Sequence, residues 1–425
     1  MAVEYKREHL ADGIEFVSIT DPKFKSNYIL VRFMTRLDIN TVSENAIIPN
    51  LLVTSNKTYK TRTELTKRLS ELYGSGLSTI NHKLGDNQVI GISAGCICDR
   101  YALDGEKLTG LVTDILLDCI FNPQLEDDGF SKKDFLLRKQ ELLDSINAEI
   151  NDKRTFAIIK ANSVIYKNEP SSLTSYGNKI SAGELSPQGC YKAYKKLLET
   201  AAIDITFAGG SDADEAAEKL KAAFLNIKRN YTESPYLSFS PVKEIVEEAV
   251  DTLDISQCKM VMAFKSAFSD VYVNKLMCVM LGGTAFSKLF TNVREKYSLC
   301  YYCAAGYVEG KGVLIVDSGV EKSNIPKARE EIINQLNALA AGDFTDEEMK
   351  NAVLSIAGDY KSNYDSTSDL SSWYFIQAIR GDYLTPEQAI EKLSRVSREE
   401  IIKAAKAFRL DTVYVMQNAE RGNSE

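Results

Sequence analysis

LGGTAFSKLFTNVREKYSLCYYCAAGYVEGKGVLIVDSGV, residues 281–320, decides how the rest of the chain is read. Its first part, AFSKLFTNVREKY, has the apolar spacing of an amphipathic helix. Its second part reads as two strands joined by the turn Glu309-Gly310-Lys311-Gly312. The same form occurs earlier. LYGSGLSTINHKLGDNQVIGISAGCI, residues 72–97, reads as two strands meeting at Gly85-Asp86-Asn87. A helix precedes it, TRTELTKRLSELYG, with Thr61 and Glu64 spaced as a capping box and Gly74 at the stop. Each hairpin is followed by a further apolar-striped helix, LTGLVTDILLDCIF or NIPKAREEIINQLNAL.

The two halves also end alike. SPQGCYKAYKKLLETAAIDITFAGG and SREEIIKAAKAFRLDTVYVMQNAE each read as a helix and then a strand. Repetition over a domain's length points to duplication, not to a short-period solenoid. NIKRNYTESPYLSFSPVKE, polar and broken by Pro235 and Pro241, is the linker expected between them. The expected organisation is a first domain over 1–230, a linker over 231–243 and a second domain over 244–425. Hairpins mixed with helices predict an α+β fold, each domain a mixed, mainly antiparallel sheet packed with helices.

Composition narrows the function classes. A chain of 425 residues exceeds a single core and makes two domains the default. The net charge of −8, with no basic block, argues against a nucleic-acid surface. No apolar run has the length of a membrane span, and MAVEYKREHLADGIEF lacks the apolar core of a signal peptide. A cytoplasmic chain is expected, with its eight cysteines serving as small buried apolar residues. The two histidines, His9 and His82, stand in no metal-ligand pattern, so no zinc site built from two or three histidines is expected.

Two features of the opening stretch compete for the chemistry. Cys300 and Cys303 have the spacing of a redox dithiol. On a regular strand, however, residues three apart lie on opposite faces and about 10 Å apart, beyond the reach of a disulfide. Arg294 and Tyr301 are the second pair, a helix-end arginine and a strand tyrosine.

LGGTAFSKLFTNVREKYSLCYY resembles the second-domain signature of M16 zinc peptidases, the pitrilysin, insulinase and processing-peptidase types. The match rests on Arg294, Glu295, Lys296, Leu299 and Tyr301 in step, and the duplicated order extends it over nearly the whole chain. The resemblance implies two homologous processing-peptidase-like domains. It also implies that Arg294 and Tyr301 hold a peptide substrate and donate hydrogen bonds to the oxyanion of its tetrahedral intermediate. Ser78, Thr79, Ile80 and Asn81 occupy the family's substrate-strand positions, where a peptide adds to the sheet edge.

The family's HxxEH is absent. In ENAIIPNLLVTSNKTYKTRTELTKRL its histidines fall at Ile47 and Leu51 and its general-base glutamate at Asn50. The distal glutamate ligand falls near Asp144, and Pro49 is expected to disturb the helix. Neither Ile nor Leu ligates zinc, and an amide does not accept a proton from water. No cofactor is expected in this chain. Within the family it resembles the zinc-less proteins known as elongation factor P aminopentanol-modification-associated proteins. That resemblance implies a non-zinc subunit that pairs with an HxxEH-bearing paralogue holding the zinc, or with itself. The alternative is an inactive scaffold or regulatory protein of the same fold.

Overall fold

A computed structural model describes residues 3–418, whose strands form two large sheets. The first half of the chain opens with β1 (Glu4–Ala11), β2 (Ile14–Thr20) and β3 (Ser26–Arg36). Helices α1 (Val42–Leu52) and α2 (Arg62–Glu71) lead into the hairpin of β4 (Gly76–Leu84) and β5 (Asn87–Ile97). Then come α3 (Leu108–Phe121) and a two-residue pair, β6 (Leu125–Glu126) with β7 (Gly129–Phe130). Helices α4 (Lys132–Ala148), α5 (Lys153–Ile165), α6 (Lys179–Gly183) and α7 (Pro187–Thr200) precede β8 (Ala202–Gly209) and α8 (Ala213–Leu225).

The second half runs β9 (Glu247–Leu253), β10 (Cys258–Lys265) and α9 (Val271–Gly282). A π-helix, Leu289–Lys296, leads to the hairpin of β11 (Cys300–Val308) and β12 (Val313–Val320). Helices α10 (Ile325–Ala341), α11 (Asp346–Ser362), α12 (Thr367–Arg380), α13 (Pro386–Ser394) and α14 (Arg398–Ala407) precede β13 (Arg409–Asn418). Among the described residues no helix is long and apolar enough to cross a membrane.

The duplication is written in the strand order. The first sheet runs β1-β2-β8-β3-β5-β4 and the second β11-β12-β10-β13-β9. Reversing the second makes β4, β5, β3, β8 and β2 correspond to β11, β12, β10, β13 and β9. The pairings agree as well: β2 with β8 and β9 with β13 are parallel, and the other pairs are antiparallel. The fold is α+β with mixed, mainly antiparallel sheets. In both sheets the edge strand, β4 or β11, comes from the hairpin that the sequence marks.

The compact units are not the sequence halves. One unit comprises 1–147, 173–235 and 363–383; the other comprises 148–172, 236–362 and 384–425. Within the first unit, alternation along β2 sends Ile14 and Phe16 into the main core and Val17 and Ile19 to the opposite face. That opposite face is covered by α12, through Leu370 and Tyr374. A buried cation fixes the helix there: Arg32 of β3 donates to Asp204 at 2.9 Å and to Ser371 of α12 at 2.8 Å. In the second unit α5 plays the matching part. Its Ala157, Ala161 and Ile165, one helical stripe, pack on Val261 and Ala263 of β10 and on Tyr414 and Met416 of β13. Lys265, at the end of β10 and 1% exposed, donates to the Ile165 carbonyl at 2.7 Å.

The stretch AFSKLFTNVREKY departs from the helix that its spacing predicts. Over Leu289–Lys296 the backbone is a π-helix, closed by Tyr297 N–H to the Asn292 carbonyl at 3.0 Å. Leu289 and Val293 are fully buried, and their spacing of four suits either helix over so short a run. Pro49 lies inside α1, which continues to Leu52 although Pro49 has no N–H for the Asn45 carbonyl.

Candidate functional site

Arg294 and Tyr301 are brought into one groove of the second unit, of about 450 Å³, lined also by Glu295, Ser298, Leu299, Cys300, Glu321 and Asn324. Local backbone features set it up. The wider turn of the π-helix ends at Lys296, and Leu299 N–H reaches back to the Val293 carbonyl at 3.0 Å. Ser298 takes φ of 49°, a left-handed conformation that L residues other than Gly, Asn and Asp seldom adopt. This corner turns the chain from helix into edge strand β11. Gly282 permits the approach behind it: a Cβ there would lie 2.7 Å from the backbone nitrogen of Ala305 in β11.

The two side chains are engaged within the unit. The Tyr301 hydroxyl donates to Glu321 at 3.2 Å, and the residue is 63% exposed. The Arg294 guanidinium lies over the Phe290 ring, 4.7 Å from its centroid, and 3.6 Å from the Glu295 carboxylate. The single O–H of Tyr301 can therefore serve a ligand only by leaving Glu321, whereas one carboxylate at 3.6 Å does not use up the five N–H donors of Arg294. Phe286, Tyr297 and Tyr301 leave three large aromatic rings exposed within sixteen residues, 286–301.

The thiols of the same stretch correct an expectation. Cys300 and Cys303 are not held apart by strand alternation. Between Cys300 and Tyr302 the register against β12 slips, because Cys300 faces Val320 and Tyr302 faces its neighbour Gly319. Tyr301 is the residue left over, and such a bulge shifts the alternation by one. The slip thereby turns both thiols to one side of the strand. Interaction with the Cys303 thiol, opposed by burial and aided by the Arg294 charge, lowers the Cys300 thiol below the usual range. Interaction with the Cys300 thiol, together with burial, raises that of Cys303.

The positions matching the family's zinc site lie in the first unit. Ile47 and Leu51 on α1 are 2% and 3% exposed and belong to the main core. Asn50, on the same helix, accepts from the Thr79 hydroxyl of β4 at 3.0 Å. Asp144 on α4 is exposed and accepts from Gln140 at 2.8 Å. Two hydrocarbon side chains, an amide and an outward carboxylate do not fit a zinc ion. Among the described residues there is no group of three or more His, Cys, Asp or Glu that could hold a metal.

Ser78, Thr79, Ile80 and Asn81 all lie on β4, whose outer side is the edge of the first sheet. The Asn81 side-chain oxygen is buried without a hydrogen-bond partner. Sequence reasoning missed Glu321, the partner of Tyr301. Its position one residue past β12 gives no signal, because only the pairing of β11 with β12 brings it near.

The comparisons with known proteins agree with this fold. Residues 184–356 match the family model for the Peptidase M16 inactive domain. Over 423 residues, 98% of each chain, the sequence is 26% identical to a probable inactive metalloprotease of Bacillus subtilis, YmfF. A solved structure of a conserved protein from Enterococcus faecalis superposes with a TM-score of 0.91 at 24% identity, covering 99% of this chain and 100% of that one. The peptidase M16 inactive domain from Pseudomonas fluorescens superposes with a TM-score of 0.78 at 14% identity, covering 98% of both. With the R-E-K-x-x-L-x-Y motif running from the π-helix onto the second sheet's edge strand and apolar residues standing at the histidine positions of α1, the chain resembles M16 peptidases that lack the zinc motif.

Proposed function

We propose that this chain is the non-zinc subunit of a heterodimeric M16-type peptidase. In this reading Arg294 and Tyr301 bind the peptide and stabilise the oxyanion, and an HxxEH-bearing paralogue supplies the zinc and the general base. The observation that carries the reading is the opening of both donor side chains into one groove beside the edge strand β11. A guanidinium and a phenol are the donors that a developing negative oxygen requires. The exposed rings of Phe286 and Tyr297 offer apolar contact to a peptide or to the paralogue. The edge of β4, with Ser78, Thr79, Ile80 and Asn81, is the second place where an extended segment can add. Eight free thiols accord with a reducing, cytoplasmic setting.

A second reading, an inactive scaffold or regulatory protein, draws on the internal engagement of the same side chains: Tyr301 on Glu321, and Arg294 on Phe290 and Glu295. The name of the Bacillus subtilis relative, a probable inactive metalloprotease, favours it as well. Peptide cleavage separates the two readings. This chain, the paralogue from the same genome and their mixture are assayed side by side, with metal content measured. The first reading expects activity in the mixture alone, falling about 100-fold with Tyr301→Phe, as when one oxyanion donor is lost. Full activity of the paralogue by itself, unchanged on mixing, leaves this chain as the scaffold.

A further inference from the structure

The thiols that flank Tyr301 have a use of their own. Cys300 is half-buried and lines the groove, whereas Cys303 is 7% exposed behind it. The bulge at Tyr301 turns both thiols to one side of the strand, which regular alternation forbids. Strand β11 is the sheet's edge, so no neighbouring strand fixes its outer backbone. A disulfide needs Cα atoms within about 7 Å, so closing it constrains the bulge, and the residue on that bulge is Tyr301. The other six cysteines are buried, and burial pushes the thiols of Cys96, Cys119, Cys190 and Cys278 up to about 12.

From this arrangement we infer that Cys300 and Cys303 are an oxidisable dithiol, closed by low-molecular-weight disulfides, whose closure re-aims Tyr301 in the groove. Cys300, the half-buried thiol that lines the groove together with Arg294, is the attacking thiol. Its thiolate attacks one sulfur of glutathione disulfide; the glutathione S–S bond breaks, and one glutathione leaves as thiolate and takes a proton from water. Cys303 then releases its proton to solvent and attacks the Cys300 sulfur. The Cys300–Cys303 bond forms, and the second glutathione departs and is protonated. Two electrons pass from the cysteine pair to glutathione disulfide, which ends as two glutathione thiols. Cys96, Cys119, Cys190 and Cys278 lack both the exposure and the thiolate character for the first step, and Cys98 and Cys258 lack the exposure.

The test treats the full chain with glutathione disulfide, blocks free thiols, and digests without reductant. The expected result is loss of two alkylatable thiols and recovery of the 297–311 peptide as an internal disulfide. Cys303→Ser should accumulate a glutathione adduct on Cys300, and Cys300→Ser should form none. Amide hydrogen exchange over 299–303, reduced against oxidised, reads the bulge directly and should change, with β8 of the first unit as the unaffected reference. Oxidation scattered over the buried cysteines, an adduct in Cys300→Ser equal to that in Cys303→Ser, or unchanged exchange on a chain shown to be disulfide-closed would each overturn the inference. None of these readouts depends on the groove being a peptide site.

Discussion

Tyr301 gives its hydroxyl to Glu321 across 3.2 Å of exposed surface. A hydrogen bond in that setting is weak, and a substrate oxygen can replace its acceptor. If Tyr301 serves a peptide, Glu321 competes with it. Glu321→Ala should then strengthen peptide binding by the mixed complex, and should do nothing once Tyr301 is Phe. Titration of a labelled peptide into the four combinations measures this coupling. At α1 the residues argue the other way. Ile47 and Leu51 are core side chains, so writing histidine back at either position buries an imidazole among hydrocarbon. Each such change should cost about 1–3 kcal/mol from unsatisfied polar burial, with lost packing in addition, and urea unfolding will read it. Restoring the motif to this chain therefore damages its core, and among the described residues no group of three or more His, Cys, Asp or Glu is there to complete a metal shell.

The corner before β11 is the element on which the groove depends. Ser298→Gly removes a left-handed penalty of about 1 kcal/mol and should be neutral or stabilising, whereas Ser298→Val should destabilise. Gly282→Ala places a methyl 2.7 Å from the Ala305 backbone, so α9 or β11 must shift; melting temperatures of the three variants test both statements. Helix α11 carries a pH response. Thr345 and Glu348 cap it reciprocally, with Glu348 N–H to the Thr345 hydroxyl at 3.1 Å and Thr345 N–H to the Glu348 carboxylate at 2.6 Å. Burial raises the Glu348 carboxyl, but the Thr345 backbone bond and Lys288 outweigh it, so its pKa lies below the ordinary 4.5. A lowered carboxylate contributes stability above its unfolded pKa and loses it as pH falls through the folded one. Acid unfolding below pH 4.5 should be shallower in Glu348→Gln than in the parent chain.

These elements also show what the sequence discloses. Helices, hairpins and duplication were legible because apolar spacing and turn residues report on local geometry. The groove was legible in Arg294 and Tyr301 only through their motif. The π-helix and the bulge were not legible, because a slip of one hydrogen bond leaves the apolar pattern of Leu289 and Val293 intact and has no residue signature at Tyr301. The meeting of the two thiols follows from that slip and was hidden with it.

At the scale of the molecule, the stripe of Ala157, Ala161 and Ile165 says that α5 is buried, but not against which sheet. It packs in the second unit, and α12 packs in the first. A fragment ending at Pro235 therefore lacks the helix that covers Val17, Ile19 and Ala208. Burying a Leu such as Leu370 contributes about 1.5–3 kcal/mol, and that fragment forgoes it along with the Arg32 contact to Ser371. Fragments 1–235 and 236–425 should each be poorly folded alone, with weak near-ultraviolet dichroism. Co-expressed they should recover the parent spectrum, as should a full chain nicked at the Pro235–Tyr236 bond. Native dichroism from either fragment by itself would contradict this.

The chain changes unit after residues 147, 172, 235, 362 and 383. No single cut in the coding sequence then yields one intact unit. The first unit cannot be lent to another protein by simple recombination, nor the second deleted while the first survives. A frameshift anywhere before residue 363 strips α12 from a sheet encoded hundreds of bases upstream. In heredity the two units are one character, kept or lost together, although each has a sheet of its own.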